Sequence, residues 1–402
     1  MIAREYRCID LFAGCGGLSL GLYLAGWKGV FAIEKNATAF QTLKRNLIDK
    51  RSHFAWPSWL SIANHDVDEV LRKYSSQLAK LKGTIALVAG GPPCGGFSTA
   101  GLRKEEDERN ALIESYLKFV KRVRPKAILF ENVRGFTMPF QAKTRRGVTF
   151  SDYIVGRLQS FGYSDARGEL IDLSHFGVPQ RRTRFILVAT LSGKSKTFFD
   201  LLALQRRRFL RSKGIASRNS ARTALRDLER GVGLVASPDS PKFESGIYAP
   251  SGNNYQRLMR KGVPDSSIPD SHRFAQHRKK AKNVFSKLLS DAPRNHCVGG
   301  SERRKYGLKK RSVIVMDPAQ PSPTITTIPD DYIHYCEPRV MTVRECARLQ
   351  SFPDWFEFTG QYTTGGKQRA VEVPRYTQVG NAIPPLFAEF AGLVLKQVLQ
   401  DG

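Results

Sequence analysis

The sequence RCIDLFAGCGGLSLG, residues 7–21, joins a short apolar run, a glycine-rich turn and the start of a helical pattern. The run at residues 7–12 predicts a buried β-strand, and residues 18–25 predict a helix. A strand that leads through such a turn into a helix is the first half of a βα unit. The turn contains Gly14, Gly16 and Gly17. Because glycine has no side chain, a ligand can approach the backbone closely there, next to the N-terminus of the helix.

The same succession of apolar run and helical pattern recurs through the first half of the chain. Further strands are predicted at residues 30–33, 84–89, 126–130, 168–173 and 184–190, and further helices at 111–123 and 152–159. Repeated βα units predict an α/β fold, a doubly wound, Rossmann-like and largely parallel sheet with helices on both faces. Residues just beyond the carboxyl ends of its strands would line the ligand crevice.

The composition indicates a globular protein with a polyanionic partner. Lys and Arg number 64 against 36 Asp and Glu, so the formal net charge is +28. Nucleic acid is the commonest partner of so basic a protein, because its phosphates favour Lys and Arg through counterion release. A merely solubilising surface charge is the alternative.

The excess charge is concentrated in one part of the chain. Residues 191–310 hold 27 Lys and Arg against 9 Asp and Glu, a net charge of +18. Apolar stretches at 198–204 and 284–289 favour a small folded domain over a disordered linker. We therefore expect a first domain formed by residues 1–190 plus 375–402, and a second, smaller basic domain formed by residues 191–374, which includes RECARLQSFPD. This last segment predicts an amphipathic helix stopped by Pro353, with a structural role.

Other classes of protein are disfavoured. The chain has no apolar run near the ~20 residues of a membrane span and no apolar signal core at its N-terminus. Its six cysteines form no CxxC pair, so neither a metal site nor a disulfide framework is predicted. A reduced protein of the cytoplasm is expected.

The first two strands predict a nucleotide-type cofactor. Glu34 ends the second strand, where an acidic side chain can accept hydrogen bonds from two ribose hydroxyls. Asp66 could accept the amino group of an adenine. The next glycine, Gly21, follows Gly17 by four residues, so the GxGxxG spacing of dinucleotide-binding turns is not met. A cofactor without a pyrophosphate is therefore favoured, and a glycine turn without a ligand is the alternative.

A thiol and a carboxyl follow two other strands. VAGGPPCGGFSTAG, residues 88–101, presents Cys94 on a rigid loop, and Glu131 follows the strand predicted to end at Phe130. If these strands are neighbours, both groups face one crevice. A thiolate can add to C6 of a cytosine while a carboxyl protonates N3, which makes C5 nucleophilic enough to take a methyl group from a sulfonium. If each residue is considered alone, the alternatives are that Cys94 is a buried thiol and that Glu131 is a salt-bridged acid.

Together these motifs resemble the DNA (cytosine-5)-methyltransferase family of the bacterial and phage restriction–modification type. The resemblance runs from residue 9 to about residue 392, with the basic segment unmatched. It is carried by six motifs in the order usual for the family, which are DLFAGCGG, GGPPCGGFS, ENV, FGVPQRRTRF, RECARLQSFPD and QVGNAIPP.

The resemblance implies S-adenosyl-L-methionine as cofactor. Phe12 would stack on its adenine, Glu34 would bind its ribose, Asp66 its adenine edge, and Asn381 would hold its methionine portion. The full set of implied cofactor-binding residues is Phe12, Gly14, Gly16, Gly17, Glu34, Asp66, Pro92 and Asn381.

The resemblance also implies the catalytic and DNA-binding residues. Cys94 would be the nucleophile, Glu131 the N3 donor, and Arg184 a contact to the target cytosine. Arg182 and Thr324 are implied near the DNA, although Arg182 is also expected to order its loop. Gly95 stands where the family usually has glutamine. This difference puts in doubt how stiff the nucleophile loop is, and it bears less on the chemistry of Cys94.

The implied function is sequence-specific methylation of cytosine C5 in double-stranded DNA. The first domain would bind the cofactor and catalyse, and the second domain would recognise the DNA target. The protein would be a monomer whose functional counterpart is a cognate restriction endonuclease. Four polar residues of the basic domain are typical base readers but equally typical of a solvated loop: Asn253, Asn254, Gln256 and Arg257. Three other functions are weighed: a tRNA cytosine-5 methyltransferase of the same fold, a catalytically silent DNA-binding relative, and a nucleotide-dependent oxidoreductase.

Overall fold

The computed structural model describes residues 5–93, 108–139, 149–308, 312–364 and 372–400. The chain divides into two compact units. The first unit consists of Met1–Asp172, Thr183–Arg206 and Phe387–Gly402, and the second of Leu173–Arg182 and Arg207–Leu386. The unit border after the last strand of the first unit thus lies at Arg206 rather than at residue 190. Which unit catalyses and which recognises DNA stays a prediction.

In the described part of the first unit, one sheet of six strands forms the centre. The strands are β1 (Arg7–Leu11), β2 (Lys28–Ile33), β3 (Leu87–Gly90), β4 (Ala127–Val133), β5 (Arg167–Asp172) and β6 (Thr183–Thr190). Their order across the sheet is β2-β1-β3-β4-β6-β5. Strands β1 to β4 pair in parallel, whereas β6 lies antiparallel between β4 and β5. The predicted α/β fold with a largely parallel sheet is confirmed.

The strand order reverses direction between β1 and β3, which are hydrogen-bonded neighbours. In open α/β sheets, such a switch point at the carboxyl ends of the strands is where ligands bind. The glycine turn follows β1 and the GGPP segment follows β3, so both predicted motifs begin at this point of the sheet.

The helices of the first unit alternate with its strands. They are α1 (Gly17–Leu24), α2 (Ala37–Leu43) with a π-helical continuation (Lys44–Asp49), α3 (Val67–Lys73), α4 (Ser75–Lys80), α5 (Glu108–Val123), α6 (Phe150–Ser160), and α7 (Ser195–Ser212), which extends past the unit border. Helix α6 begins with a capping box, in which Thr149 and Asp152 bond each other's backbone N–H. The core between helices and sheet is apolar, with fully buried members such as Ile9, Phe31, Ile128 and Leu187.

Gly21, the glycine that follows the turn at Gly14, Gly16 and Gly17, serves packing. A Cβ added at Gly21 would lie 2.3 Å from Cβ of Ala388, which belongs to the C-terminal helix (Pro385–Gln400). In the same contact, Trp27 donates its indole N–H to the carbonyl of Gly392 at 3.0 Å. Gly21 therefore permits close approach of two helices, which explains why it stands outside the spacing of a phosphate-binding turn.

The second unit has smaller elements. Its helices are α8 (Ala221–Leu225), α9 (Asn254–Met259), α10 (Lys279–Asp291), α11 (Glu302–Lys305), α12 (Val343–Leu349) and α13 (Arg375–Asn381), and the C-terminal helix that begins at its border is α14. Its strands are β7 (Leu234–Ser237), β8 (Ser240–Gly246), β9 (Cys297–Gly299), β10 (Ser312–Val315) and β11 (Tyr332–Ile333). β7 pairs with β8, and β11, β10 and β9 form a small sheet.

Helix α12, from the RECARLQSFPD motif, is buried on all sides, whereas the sequence predicted an amphipathic helix. Its two arginines are neutralised inside the protein. Arg348 bonds Asp227 at 2.9 Å and Asp354 at 2.5 Å, and Arg344 bonds Asp270 at 2.9 Å. Charges so deeply buried persist only when paired in this way. The structural role expected for this motif agrees with these contacts.

Among the described residues, the stretch Arg375–Gln400 is long and apolar enough to cross a membrane, and 72% of its most apolar window is buried inside the structure. A core helix passes the same test of length and composition.

Candidate active site

The turn after β1 is shaped by left-handed backbone. Phe12, Gly14 and Gly16 have φ values of 57°, 56° and 94°. A Cβ at Gly14 would meet no atom within 4 Å, so the turn is open there. Phe12 is partly buried against the core and leaves part of its ring accessible at the end of β1. An open turn beside a partly accessible aromatic ring fits a flat nucleoside-type ligand.

Glu34 lies one residue beyond β2 and faces this turn. Its Oε2 accepts the N–H of Gly14 at 2.9 Å and its Oε1 accepts the N–H of Asn36 at 2.7 Å. Burial raises the pKa of this carboxyl, and the backbone hydrogen bonds oppose the shift. Each carboxylate oxygen can accept a further hydrogen bond, so these two acceptors fit the ribose hydroxyls that the sequence analysis expected Glu34 to bind.

Asp66 is placed differently. It caps α3, accepting the N–H of Asp68 at 2.9 Å, and its other oxygen pairs with Lys35 at 3.0 Å. Partial burial acts to raise the pKa of Asp66, but the hydrogen bond and charge of Lys35 with the helix amides lower it. Its predicted contact to an adenine remains a prediction.

The sequence reasoning missed a buried acid beneath the turn. Asp10, in β1, is 2% exposed and accepts the hydroxyl of Ser19 from α1 at 2.5 Å. Burial, against the hydrogen bonds from Ser19, raises its pKa to about 7. The hydrogen bond joins the strand before the turn to the helix after it. The sequence feature that could have revealed Asp10 is an acidic residue inside an apolar run, immediately before the glycines of the turn.

Glu131 lies next to the GGPP segment. β3 and β4 are neighbours, with Gly90 opposite Phe130, which meets the condition on which the predicted site depended. β4 runs on to Val133, so Glu131 lies within the strand rather than after it. A Cβ at Gly91 would come within 2.8 Å of its Oε2. Pro92 is buried, and its carbonyl accepts the side-chain amide of Asn132 at 3.4 Å. The carboxyl therefore adjoins the segment that leads to the thiol.

Arg184 pairs with this carboxyl. Its Nε lies 2.9 Å from Oε1 of Glu131, and the two side chains are only 12% and 13% exposed. The pair forms because β6 lies beside β4, where Arg184 is opposite Val133 and Phe185 opposite Asn132. The structure thus brings together two of the three predicted catalytic residues. The third, Cys94, and its neighbour Gly95 lie outside the described residues.

Arg182 lies in the second unit and is 1% exposed. Its guanidinium donates to the carbonyls of Gly380 at 2.8 Å and Ala382 at 3.1 Å, on either side of Asn381. This environment supports a role in ordering its segment, while the contact to DNA stays a prediction. Thr324 donates its hydroxyl to the carbonyl of Arg181 at 2.6 Å, and Asn381 is exposed at the end of α13.

The four candidate base readers make local contacts. Asn253 caps α9 and donates to the carbonyl of Thr223 at 3.0 Å, and the buried Gln256 donates to the same carbonyl at 3.0 Å. Asn254 donates to the carbonyl of Gly214 at 2.7 Å and accepts from Arg257. These contacts favour the alternative of an ordinary, well-bonded surface region.

One group of possible metal ligands occurs among the described residues. Donor atoms of His334, Cys336 and Glu337 lie within 4.8 Å of one another. However, the carboxylate oxygens of Glu337 accept from the backbone N–H of Arg230 at 2.8 Å and from Arg339 at 2.5 Å. These bonds account for the position of Glu337 without a metal.

Comparison with known proteins agrees with this geometry. The model of the family described as C-5 cytosine-specific DNA methylase matches residues 6–397. The chain belongs to the C-5 cytosine-specific DNA methylase family, and it is a DNA (cytosine-5)-methyltransferase.

Similar proteins are bacterial methyltransferases. The chain is 31% identical over 395 residues to the type II methyltransferase M.DdeI of Desulfomicrobium norvegicum, covering 95% of this chain and 86% of that one. It is 28% identical over 418 residues to M.XorII of Xanthomonas oryzae pv. oryzae, covering 98% and 85%. A solved structure shares the fold: a prophage-encoded protein of E. coli assigned as a DNA modification methyltransferase, with 23% identity, TM-score 0.66, and coverage of 98% of this chain and 100% of that chain.

Proposed function

We propose that this protein transfers a methyl group from S-adenosyl-L-methionine to C5 of a cytosine in double-stranded DNA, and that it protects DNA within a bacterial restriction–modification system. The observation that carries the proposal is the Glu131–Arg184 pair beside Gly91, three residues before the thiol of Cys94. Relatives that are bacterial type II methyltransferases support action in the bacterial cytoplasm. A monomeric state and a cognate endonuclease as functional counterpart are part of the same proposal.

The cofactor would lie at the open turn after β1. Phe12 would stack on the adenine, Glu34 would accept the ribose hydroxyls, and the backbone of Gly14, Gly16 and Gly17 would allow close approach. Asp66, Pro92 and Asn381 remain in the proposed set of cofactor-binding residues. When bound, the cofactor supplies an electrophilic methyl group on a sulfonium.

The chain's own residues would perform the rest. The target base must leave the duplex, at a cost of roughly a few kcal/mol. The thiolate of Cys94 adds to C6 while Glu131 gives a proton to N3, and Arg184 holds the carboxyl and contacts the base. C5 then carries the electron pair that takes the methyl group. Loss of the C5 proton to water, elimination of the thiolate and return of the N3 proton to Glu131 restore the neutral aromatic ring and the enzyme.

Transfer of tritiated methyl groups to DNA of mixed sequence tests the activity. We expect labelling with the wild-type chain and none with Cys94→Ser. Cys297→Ser, which changes an exposed cysteine in β9, is the matched control and should keep full activity. Retained transfer by Cys94→Ser would exclude the covalent step.

Two measurements separate the alternatives. DNA containing 5-fluorocytosine should trap the wild-type chain as a stable adduct, whereas a catalytically silent DNA-binding protein would form none. Competition between duplex DNA and tRNA distinguishes the two nucleic acids, and we expect tRNA to leave DNA labelling unchanged. The oxidoreductase alternative is opposed by the family to which the chain belongs.

A further inference from the structure

The second unit contains a polar surface cleft that no function described above uses. It has a volume of about 320 Å³ and is lined by Ser220, Arg222, Thr223, Arg226, Asn253, Pro318 and Ala319. All of these residues lie within the second unit. The cleft therefore belongs to one compact body, and its shape does not depend on the other unit.

Two guanidinium groups line the cleft without a counter-charge. Arg222 and Arg226 are one helical turn apart and both exposed, and among the described residues no carboxylate lies within salt-bridge distance of either. Like charges at this spacing repel each other. An anion bound between them would remove that repulsion.

The nearby acids are engaged elsewhere. Asp227, the residue after Arg226, is buried, and its carboxylate pairs with Arg348 at 2.9 Å and with Arg260 at 3.5 Å. Asp317, the residue before Pro318, accepts the N–H of Ala319 at 2.8 Å. The buried Arg348 and Arg260 are thus neutralised by carboxylates of the protein itself, in contrast to the two arginines in the cleft.

The floor of the cleft is held in place by hydrogen bonds among its three chain segments. Arg222 donates its backbone N–H to the carbonyl of Pro318 at 3.1 Å, and Asn253 donates to the carbonyl of Thr223 at 3.0 Å. The hydroxyls of Ser220 and Thr223 lie 3.0 Å apart and share one hydrogen bond, which leaves one hydroxyl hydrogen available. A rigid cleft with two guanidinium forks and a hydroxyl donor is preorganised for a tetrahedral oxyanion.

We propose that the cleft between Arg222 and Arg226 binds a backbone phosphate of the DNA that is methylated. The inference rests on the proposed function, which supplies duplex DNA as the ligand, and on the net charge of +28, which favours polyanions. Arginine and hydroxyl side chains are the usual phosphate contacts of DNA-binding proteins and fix the protein's position without reading sequence.

The test measures the dissociation constant for an unmodified duplex at several salt concentrations, with the full-length chain. Removal of the contact to this one phosphate by the double variant Arg222→Gln/Arg226→Gln should lower the slope of log K against log salt by about 0.9. The ratio of variant to wild-type Kd should therefore fall about 3.5-fold between roughly 50 and 200 mM salt. The methyl-transfer rate at saturating DNA should not change.

The matched control is Arg207→Gln/Arg208→Gln, which removes two exposed charges from α7. An equal loss of slope in this control would overturn the proposal, because it would show an effect of net charge alone. Arg222→Lys/Arg226→Lys should keep most of the slope, since the charge remains, while losing affinity with the planar fork.

The remaining outcomes are equally distinct. If inorganic phosphate at constant ionic strength binds the wild-type chain but not the double variant, and DNA binds both equally, the cleft is a site for free phosphate and the DNA assignment is wrong. If the wild-type chain methylates DNA but the double variant has the same slope of log K against log salt as wild type, the phosphate site in the cleft is wrong and the proposed function stands. A wild-type chain that labels no DNA overturns the proposed function itself.

Discussion

Nε of Arg184 lies 2.9 Å from Oε1 of Glu131, across two antiparallel strands of the central sheet. The carboxyl is thereby fixed in orientation, with its other oxygen next to Gly91. One ion pair thus links the acid of the ENV motif, the arginine of the QRRTR segment and the start of the nucleophile loop.

Glu131→Gln should abolish most catalysis while the protein stays folded. The amide has the same shape but cannot give a proton to N3, and general acid catalysis contributes roughly 10²–10⁴-fold to the rate. Methyl-transfer rates at saturating DNA measure the loss. Arg184→Lys keeps the charge but not the fork, so an activity equal to wild type would contradict the role given to this pair.

Gly91→Ala should reduce the turnover number and also cost some stability. The added Cβ would lie 2.8 Å from Oε2 of Glu131 and 3.0 Å from its backbone carbonyl oxygen, so that the carboxyl is displaced and the adjoining backbone must shift. The control is Gly156→Ala in α6, where a Cβ meets no atom within 4 Å. The control should keep full activity and gain about 0.5–1 kcal/mol of helix stability. Equal turnover in both variants would contradict the prediction.

Arg348→Met should destabilise the second unit by about 3–5 kcal/mol, since Asp227 and Asp354 would lose their buried partner. Hydrogen exchange of amides in α12 measures this locally, which is preferable to global unfolding for a chain of two units. Arg207→Met, an exposed arginine, is the matched control and should change the free energy by less than about 0.5 kcal/mol. Unchanged exchange in Arg348→Met would refute the buried network's role.

Acid should destabilise the first unit through His53. Burial, followed by the charge of Lys28, lowers the pKa of this histidine from 6.5 to about 3. Between these pH values the unfolded chain binds a proton that the folded chain does not, so stability is complete above pH 6.5 and decreases as the pH falls towards 3.

His53→Phe removes the imidazole that takes up this proton in the unfolded chain. The free energy of unfolding of the variant should fall about 1.4 kcal/mol less per pH unit in that range than wild type. Urea unfolding, followed by hydrogen exchange of β2 amides at several pH values, gives the comparison. Parallel pH curves for the two proteins would show that His53 does not titrate as described.

The sheet could be predicted from sequence because its strands are short apolar runs bounded by turns. The neighbouring positions of β3 and β4 were a condition that only the structure supplies, since strand order is not visible in the apolar runs. The Glu131–Arg184 contact could not be predicted from the sequence, because it depends on β6 lying antiparallel between β4 and β5. Helix α12 was misread as amphipathic because its arginines find carboxylates far away in sequence, at Asp227 and Asp270.

The packing of Gly21 against Ala388 has a consequence for biosynthesis. The first unit takes its early strands from the start of the chain but one core helix from residues 387–400. While a ribosome is still translating the basic segment, that helix does not exist and the face of α1 that it covers is bare. The fold of the first unit is therefore completed only after residue 400 has been synthesised, and until then this apolar face of the growing chain stays exposed to aggregation.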